Sequence, residues 1–135
     1  VSSKGRIHVA TDEPPRPHAL VVEDDDAMGR AFARVLKRIG FAVSSSGTGA
    51  HAFQRVRDGE RFDLVVSDVC MPVMNGIAFR EAALPLWPEL AGALVFVSGA
   101  IDLDFSTLGA PCFTKPVGVE FYAHVRGMRR RPERC

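Results

Sequence analysis

The chain has 135 residues, 47% of them hydrophobic and 24% charged, which suits one globular domain with a single core. Its 17 Lys+Arg against 16 Asp+Glu leave a formal net charge of +1, which excludes a general electrostatic pull toward nucleic acid or membrane; only Arg126, Arg129, Arg130, Arg131 and Arg134 form a basic run. No apolar run approaches the roughly 18 residues that cross a bilayer, and the N-terminus lacks the basic-then-apolar layout of a secretory leader, so a cytoplasmic protein is expected.

Residues 1–17 carry Pro14, Pro15 and Pro17 amid scattered charge and read as an N-terminal tail or linker, within which Ile7-His8-Val9-Ala10 is a candidate edge strand. From His18 onward, short apolar runs alternate with amphipathic stretches, the pattern of parallel strands joined by crossover helices. Ala19-Leu20-Val21-Val22 is continuous and rich in valine, as a strand buried on both faces would be. Asp26 then opens a helix in which Met28, Phe32, Leu36 and Ile39 recur at spacings of three and four. Gly40 ends that helix, Phe41-Ala42-Val43 starts a second strand, and Ser44 to Gly49 reads as a loop. A second helix is expected over 48–58, with Gly59 as its stop. Phe62 to Val66 forms the third strand, ending at Ser67-Asp68, and Pro72, Asn75 and Gly76 mark a loop before a third helix. Leu94 to Val97 is the fourth strand, 101–109 makes at best a short helix, Cys112-Phe113-Thr114 is a short fifth strand, and 117–130 is a terminal helix. Five βα units result, in one domain over 18–131 with 132–135 as a C-terminal tail.

In an open doubly wound sheet, ligands sit outside the C-terminal ends of the strands. There the chemically capable residues gather: Glu23, Asp24 and Asp25 follow the first strand, Asp68 the third, Ser98 the fourth and Lys115 the fifth. Singly, each has an ordinary use, Asp as a helix N-cap, Ser in a loop, Lys at the surface. Together they are harder to explain, because carboxylates about 5 Å apart repel by roughly 3 kcal/mol per pair at an effective dielectric of about 20. Such a cluster needs a cation, and a few hard oxygen ligands suit Mg²⁺, which keeps several waters and accepts phosphate oxygens. Phosphoryl transfer follows as an expectation: Asp68 attacks phosphorus, Mg²⁺ and Lys115 stabilise charge on the transferred group, and Ser98 donates a hydrogen bond.

Other residues carry less. Cys70, Cys112 and Cys135 are odd in number, widely spaced and outside CxxC pairs, so free thiols are expected rather than a disulfide framework or a zinc site. His8, His18, His51 and His124 lack metal spacing or a paired nucleophile and read as surface or packing residues. Phe32, Phe53, Phe79 and Phe121 read as core, and Trp87 between Leu86 and Pro88 carries no ligand pattern.

The segments LVVEDD (20–25), DLVVSDVCMPVMNG (63–76), LVFVSGA (94–100) and TKP (114–116) together resemble the receiver domains of bacterial response regulators and hybrid histidine kinases, over residues 18–130. The resemblance implies a flavodoxin-like, doubly wound α/β fold with a five-stranded parallel sheet in the order 2-1-3-4-5. It implies an acidic pair for Mg²⁺, with Mn²⁺ as a substitute: Asp24 as a direct ligand and Glu23 through water. Asp68 would be phosphoacceptor and metal ligand, and the backbone carbonyl of Cys70 would complete the protein's share of the coordination. Ser98 would contact the phosphoryl group, Met71 and Gly99 would line its pocket, and Lys115, in a cis Lys115-Pro116 bond, would face it. The implied donor is a phosphohistidine on a sensor histidine kinase or phosphotransfer protein, and the implied output is an unidentified partner or a fused domain. Direct nucleic-acid contact, membrane insertion and turnover of a small substrate are not expected.

Two departures from that pattern stand out. Cys112 occupies the place, three residues before the lysine, where similar domains put a Phe or Tyr that rotates inward on activation, and Phe113 should face the other side of its strand. The 17 positions from Ser98 to Lys115 are several short of the usual interval, which trims the helix between the last two strands by about one turn of 3.6 residues. Dimerisation through that face is therefore not assumed. The Ser-Gly-Ala after the fourth strand and the Ala-Pro before the fifth are closer to receivers attached to hybrid kinases. These departures prompt a second reading, a degenerate receiver serving as a binding module. A turnover phosphotransferase on a similar sheet is a third, disfavoured because no separate general acid or substrate-binding insertion is evident.

Overall fold

Three of the helices begin where a short polar side chain turns back to hold a backbone amide. In the computed structural model, which describes residues 16–71, 74–99 and 108–128, Asp25 accepts from the Met28 amide, Thr48 from His51 and Asn75 from Ala78. Each cap satisfies one of the amides that a first helical turn leaves without a partner. The elements run β1 (His18–Val22), α1 (Asp26–Ile39), β2 (Ala42–Ser46), α2 (Gly49–Arg57), β3 (Leu64–Asp68), α3 (Gly76–Ala83), α4 (Leu90–Ala93), β4 (Leu94–Ser98), β5 (Cys112–Thr114) and α5 (Val119–Met128). Gly40 closes α1 at φ 126°, a conformation that a side chain would strain.

All strand pairs are parallel, in the order β2-β1-β3-β4-β5. The fold is thus the flavodoxin-like α/β arrangement that the resemblance implied. Side chains alternate between the two faces of the sheet, as the pleat requires. Leu20, Val22, Val65, Leu94 and Phe96 face α2, α3 and α4, where they meet Ala52, Val56, Phe79 and Leu90. Ala19, Val21, Leu64, Val66, Val95 and Val97 face α1 and α5, where they meet Phe32, Leu36, Phe121 and Val125. The unbroken apolar run of β1 is explained by these two cores: every residue from Ala19 to Val22 is buried in one or the other.

The structure revises several boundaries. Ser44, Ser45 and Ser46, expected in a loop, continue β2 and pair with Leu20, Val21 and Val22. On an edge strand the backbone ladder decides, so polar side chains are admitted: Ser44 and Ser46 hydrogen-bond His18 (2.7 Å) and His51 (2.9 Å). Phe62 precedes β3 rather than opening it and packs its ring between His18 and Trp87. The four-residue α4 was not foreseen; it is too short to show periodicity, and it buries Leu90 and Ala93. Phe32, Phe79 and Phe121 are core as expected, Phe53 is partly buried against it, and Arg61 lies over the Trp87 ring, 5.5 Å from its centre. The candidate strand at 7–10, the segment 101–107, His8 and the basic residues from Arg129 onward lie outside the described residues. Among the described residues, no helix is long and apolar enough to cross a membrane.

Candidate functional site

The strand register carries the chemistry to one edge. Val22 pairs with Ser67, Asp68 with Val97, and Ser98 with Thr114, so Glu23, Asp68, Ser98 and Lys115 emerge side by side at the C-terminal ends of four adjacent strands. Backbone bonds extend the alignment past the ladder: the Val69 amide donates to Val97 (3.0 Å) and the Lys115 amide to Ser98 (2.8 Å). Lys115-Pro116 is cis.

The Lys115 ammonium bridges two carboxylates, donating to Glu23 Oε1 at 3.0 Å and to Asp68 Oδ2 at 3.2 Å. Asp68 Oδ1 accepts from the Cys70 amide at 3.3 Å, and Glu23 Oε2 from the Asp25 amide at 3.3 Å. Glu23 and Asp68 are 5% and 7% exposed, whereas Asp24 is open to solvent. Carboxylate oxygens of Glu23, Asp24 and Asp68 lie within 4.8 Å of one another. Asp25, the third acid of the run, is spent on capping α1 and stands apart from this group.

Burial pushes the Glu23 carboxyl above its usual range; the hydrogen bond from Lys115 opposes that shift without cancelling it, and the Asp68 charge adds to it. For Lys115, burial alone would lower the ammonium, but the Glu23 hydrogen bond and the charges of both carboxylates prevail and hold it above its usual value. A lysine that stays charged between two buried acids is the local countercharge of the site.

Two positioning residues were missed in the sequence. A Cβ on Gly76 would stand 2.3 Å from the Asp68 carbonyl oxygen, 2.9 Å from the Phe96 ring and 3.0 Å from Ser67 Oγ. Only glycine lets the first turn of α3 sit against the end of β3, where the Gly76 amide donates to Val69 at 2.9 Å. Ser67, fully buried on the opposite face from Asp68, donates its hydroxyl to the same Asp68 carbonyl at 3.0 Å. Gly76 shows in the sequence only as a loop marker and Ser67 only as a strand residue. Their shared contact is tertiary.

The remaining expected residues are scattered in environment. Ser98 is buried at the end of β4, and Gly99 is exposed with open space where a Cβ would be. Met71 is buried within the core that faces α2 and α3. Cys70 is an exposed free thiol. Cys112 is a half-buried free thiol packed against that same core, while Phe113 points to the other face, edge-on to Phe121 at 5.5 Å and tilted against His124 at 5.6 Å. Phe113 therefore does not replace the missing aromatic. Burial, aided by the Asp68 charge, pushes the Cys112 thiol up to about 11.

Comparison with known proteins points to the same family. The sequence model of the response regulator receiver domain matches residues 19–103. The response regulator receiver protein CpdR of Brucella abortus (strain 2308) is 34% identical over 80 residues, covering 59% of this chain and 64% of that protein. The sensor kinase CckA of the same organism is 33% identical over 102 residues, 75% of this chain but 11% of that protein. The chain thus spans under two thirds of either relative. Among solved structures, the receiver domain of the hybrid histidine kinase CckA superimposes with a TM-score of 0.67 at 27% identity, over 84% of this chain and 99% of that one. The Vibrio cholerae chemotaxis protein CheY4 shares the fold, with a TM-score of 0.73 at 21% identity over 86% of this chain and 100% of that one. A parallel sheet in this strand order, with acids and a lysine gathered at one edge and this sequence match, identifies the chain as a member of the response regulator receiver domain family, the phosphoacceptor modules of two-component signalling.

Proposed function

We propose that Asp68 accepts a phosphoryl group from the phosphohistidine of a sensor histidine kinase or phosphotransfer protein, and that the modified surface then alters an interaction with an output partner or fused domain. The unit proposed to do so is the domain over 18–131, acting in the cytoplasm. The observation that carries this reading is the Lys115 ammonium bonded at once to Glu23 and Asp68 at the C-terminal edge of the sheet.

Receiver domains bind Mg²⁺ through acidic residues, and the donor set fits: three carboxylates within 4.8 Å of one another, two of them largely buried, carry more negative charge than one ammonium neutralises. Glu23, Asp24, Asp68 and the backbone carbonyl of Cys70 are the proposed holders of Mg²⁺, with Mn²⁺ as a substitute. When bound, the ion supplies positive charge to the oxygens of the incoming group.

The protein's own groups do the orienting. Asp68 is held at three points: Lys115 on one carboxylate oxygen, the Cys70 amide on the other, and Ser67 on its backbone carbonyl. A nucleophile so restrained has little freedom left to lose on reaction. Transfer breaks the phosphorus–nitrogen bond of the donor, whose imidazole leaves with the electron pair, and forms a phosphorus–oxygen bond to Asp68. Charge on the transferred oxygens is met by Lys115 and by the Ser98 hydroxyl. Gly99 and Met71 are the proposed lining of the phosphoryl pocket: Gly99 leaves room beside Ser98, and Met71 is anchored in the core that faces α2 and α3. With Cys112 at the switch position, output is read through a route other than rotation of an aromatic ring.

Incubation with Mg²⁺ and acetyl phosphate, followed by intact-mass measurement, tests this reading. One added phosphoryl group is expected on the native protein and none on Asp68→Asn; equal gain by both would refute it.

A further inference from the structure

A second candidate site lies away from the acidic edge. α1 and α5 each start beyond the C-terminal end of a strand and run back along the same face of the sheet, so their last turns lie toward the opposite edge from Asp68. Between them is a cleft of about 340 Å³ lined by Val35, Arg38, Ile39, Tyr122 and Arg126. That volume is at the small end of clefts that hold small molecules, about 300–1,000 Å³.

Its chemistry is one-signed. Arg38 stands in the last turn of α1 and Arg126 in the last turn of α5, and among the described residues no acid lines the cleft and neither arginine makes an ion pair. Two guanidinium groups brought from separate helices suit a phosphate, which each can grip through paired N–H donors. Between them lie apolar walls, Val35 and Ile39 from one helix and the Tyr122 ring from the other, the ring braced edge-on by Phe121 at 5.6 Å. A free phosphate would leave that apolar surface unused, and an uncharged aromatic would leave both arginines unused. We propose that this cleft binds a nucleoside monophosphate, its phosphate between Arg38 and Arg126 and its base against Tyr122. The site owes nothing to the phosphoryl chemistry at Asp68 and stands or falls separately from it.

The bland alternative is that both arginines only complement the negative ends of their helices and cover apolar surface with their stems. Calorimetric titration of the full chain with AMP, adenosine and inorganic phosphate at low salt separates the two. Saturable AMP binding with a dissociation constant below about 0.1 mM is expected, with adenosine and phosphate each at least about tenfold weaker. Arg38→Gln, Arg126→Gln and Tyr122→Leu should each weaken AMP by about tenfold or more, whereas Arg34→Gln, one turn earlier on α1 and outside the cleft, should leave it unchanged. Arg38 and Arg126 are exposed, so their replacement rarely unfolds a domain, and Tyr122→Leu keeps an apolar side chain at a half-buried position. Absence of AMP binding at about 1 mM, phosphate binding as tightly as AMP, or an Arg34→Gln loss equal to that of Arg38→Gln would each overturn the proposal.

Discussion

Gly76 rests directly on the Asp68 backbone: a methyl group there would come within 2.3 Å of the Asp68 carbonyl oxygen. The obstacle is backbone, held in turn by the Ser67 hydroxyl, so it cannot swing aside as a flexible side chain would. The start of α3 and the end of β3 are thereby fixed as one piece beneath the proposed phosphoacceptor.

Gly76→Ala is expected to lower stability by about 1–3 kcal/mol through overpacking. Gly92→Ala is the control, since a Cβ there meets nothing and alanine is the better helix former; it should be neutral or stabilising. Thermal unfolding followed by circular dichroism compares them. A Gly76→Ala protein as stable as the native one would show that the helix can shift at little cost.

Mg²⁺ is expected to raise the unfolding temperature of the native protein, because an ion that binds only the folded state stabilises it by mass action. Asp24→Asn should abolish most of that gain while leaving the ion-free protein as stable as before or slightly more so, since it removes one of three mutually repelling carboxylates. Melting curves with Mg²⁺ and with EDTA decide the matter; an unchanged Mg²⁺ response in Asp24→Asn would remove Asp24 from the ligand set.

Cys112 should make itself felt at alkaline pH. Its folded-state value, about 11, is raised from the ordinary 9.0. A raised value contributes stability that is fully present below the unfolded value and lost as pH climbs through the folded one, so the loss falls between pH 9.0 and about 11. Denaturant unfolding across that window should show a shallower decline in Cys112→Ser than in the native chain. The paired Lys115, also raised, follows the same sign above its ordinary 10.5, and Cys112→Ser leaves that part intact. A decline identical in both proteins would contradict the burial argument.

Alkylation offers an independent check on the same thiol. In a Cys135→Ser background at pH 8, the exposed Cys70 should react with iodoacetamide well before Cys112, whose thiolate is scarce and half-covered. Peptide mapping over time would show it, and equal rates would mean that β5 opens readily.

The parts of this fold that were readable from sequence are those with a short-range cause. Apolar runs buried on both faces marked β1, β3 and β4, three-and-four spacing marked α1, and the rule that function gathers beyond strand ends drew out Glu23, Asp68, Ser98 and Lys115 together. The alternation of a strand was enough to separate Cys112 from Phe113. What stayed hidden depends on neighbours distant in the chain. Ser44 to Ser46 extend β2 because the β1 backbone is there to pair with them. Gly76 and Ser67 matter because they converge on one carbonyl. Arg38 and Arg126 share a cleft only once α1 and α5 lie side by side.

Locating the acyl phosphate tests the central claim most directly. After reaction with Mg²⁺ and acetyl phosphate, borohydride reduction converts a phosphorylated aspartate to homoserine, which peptide sequencing by mass spectrometry can place. Homoserine at position 68 alone is the expected result; homoserine at Asp24 or Asp25, or phosphate retained on a histidine with Asp68 unchanged, would contradict the account.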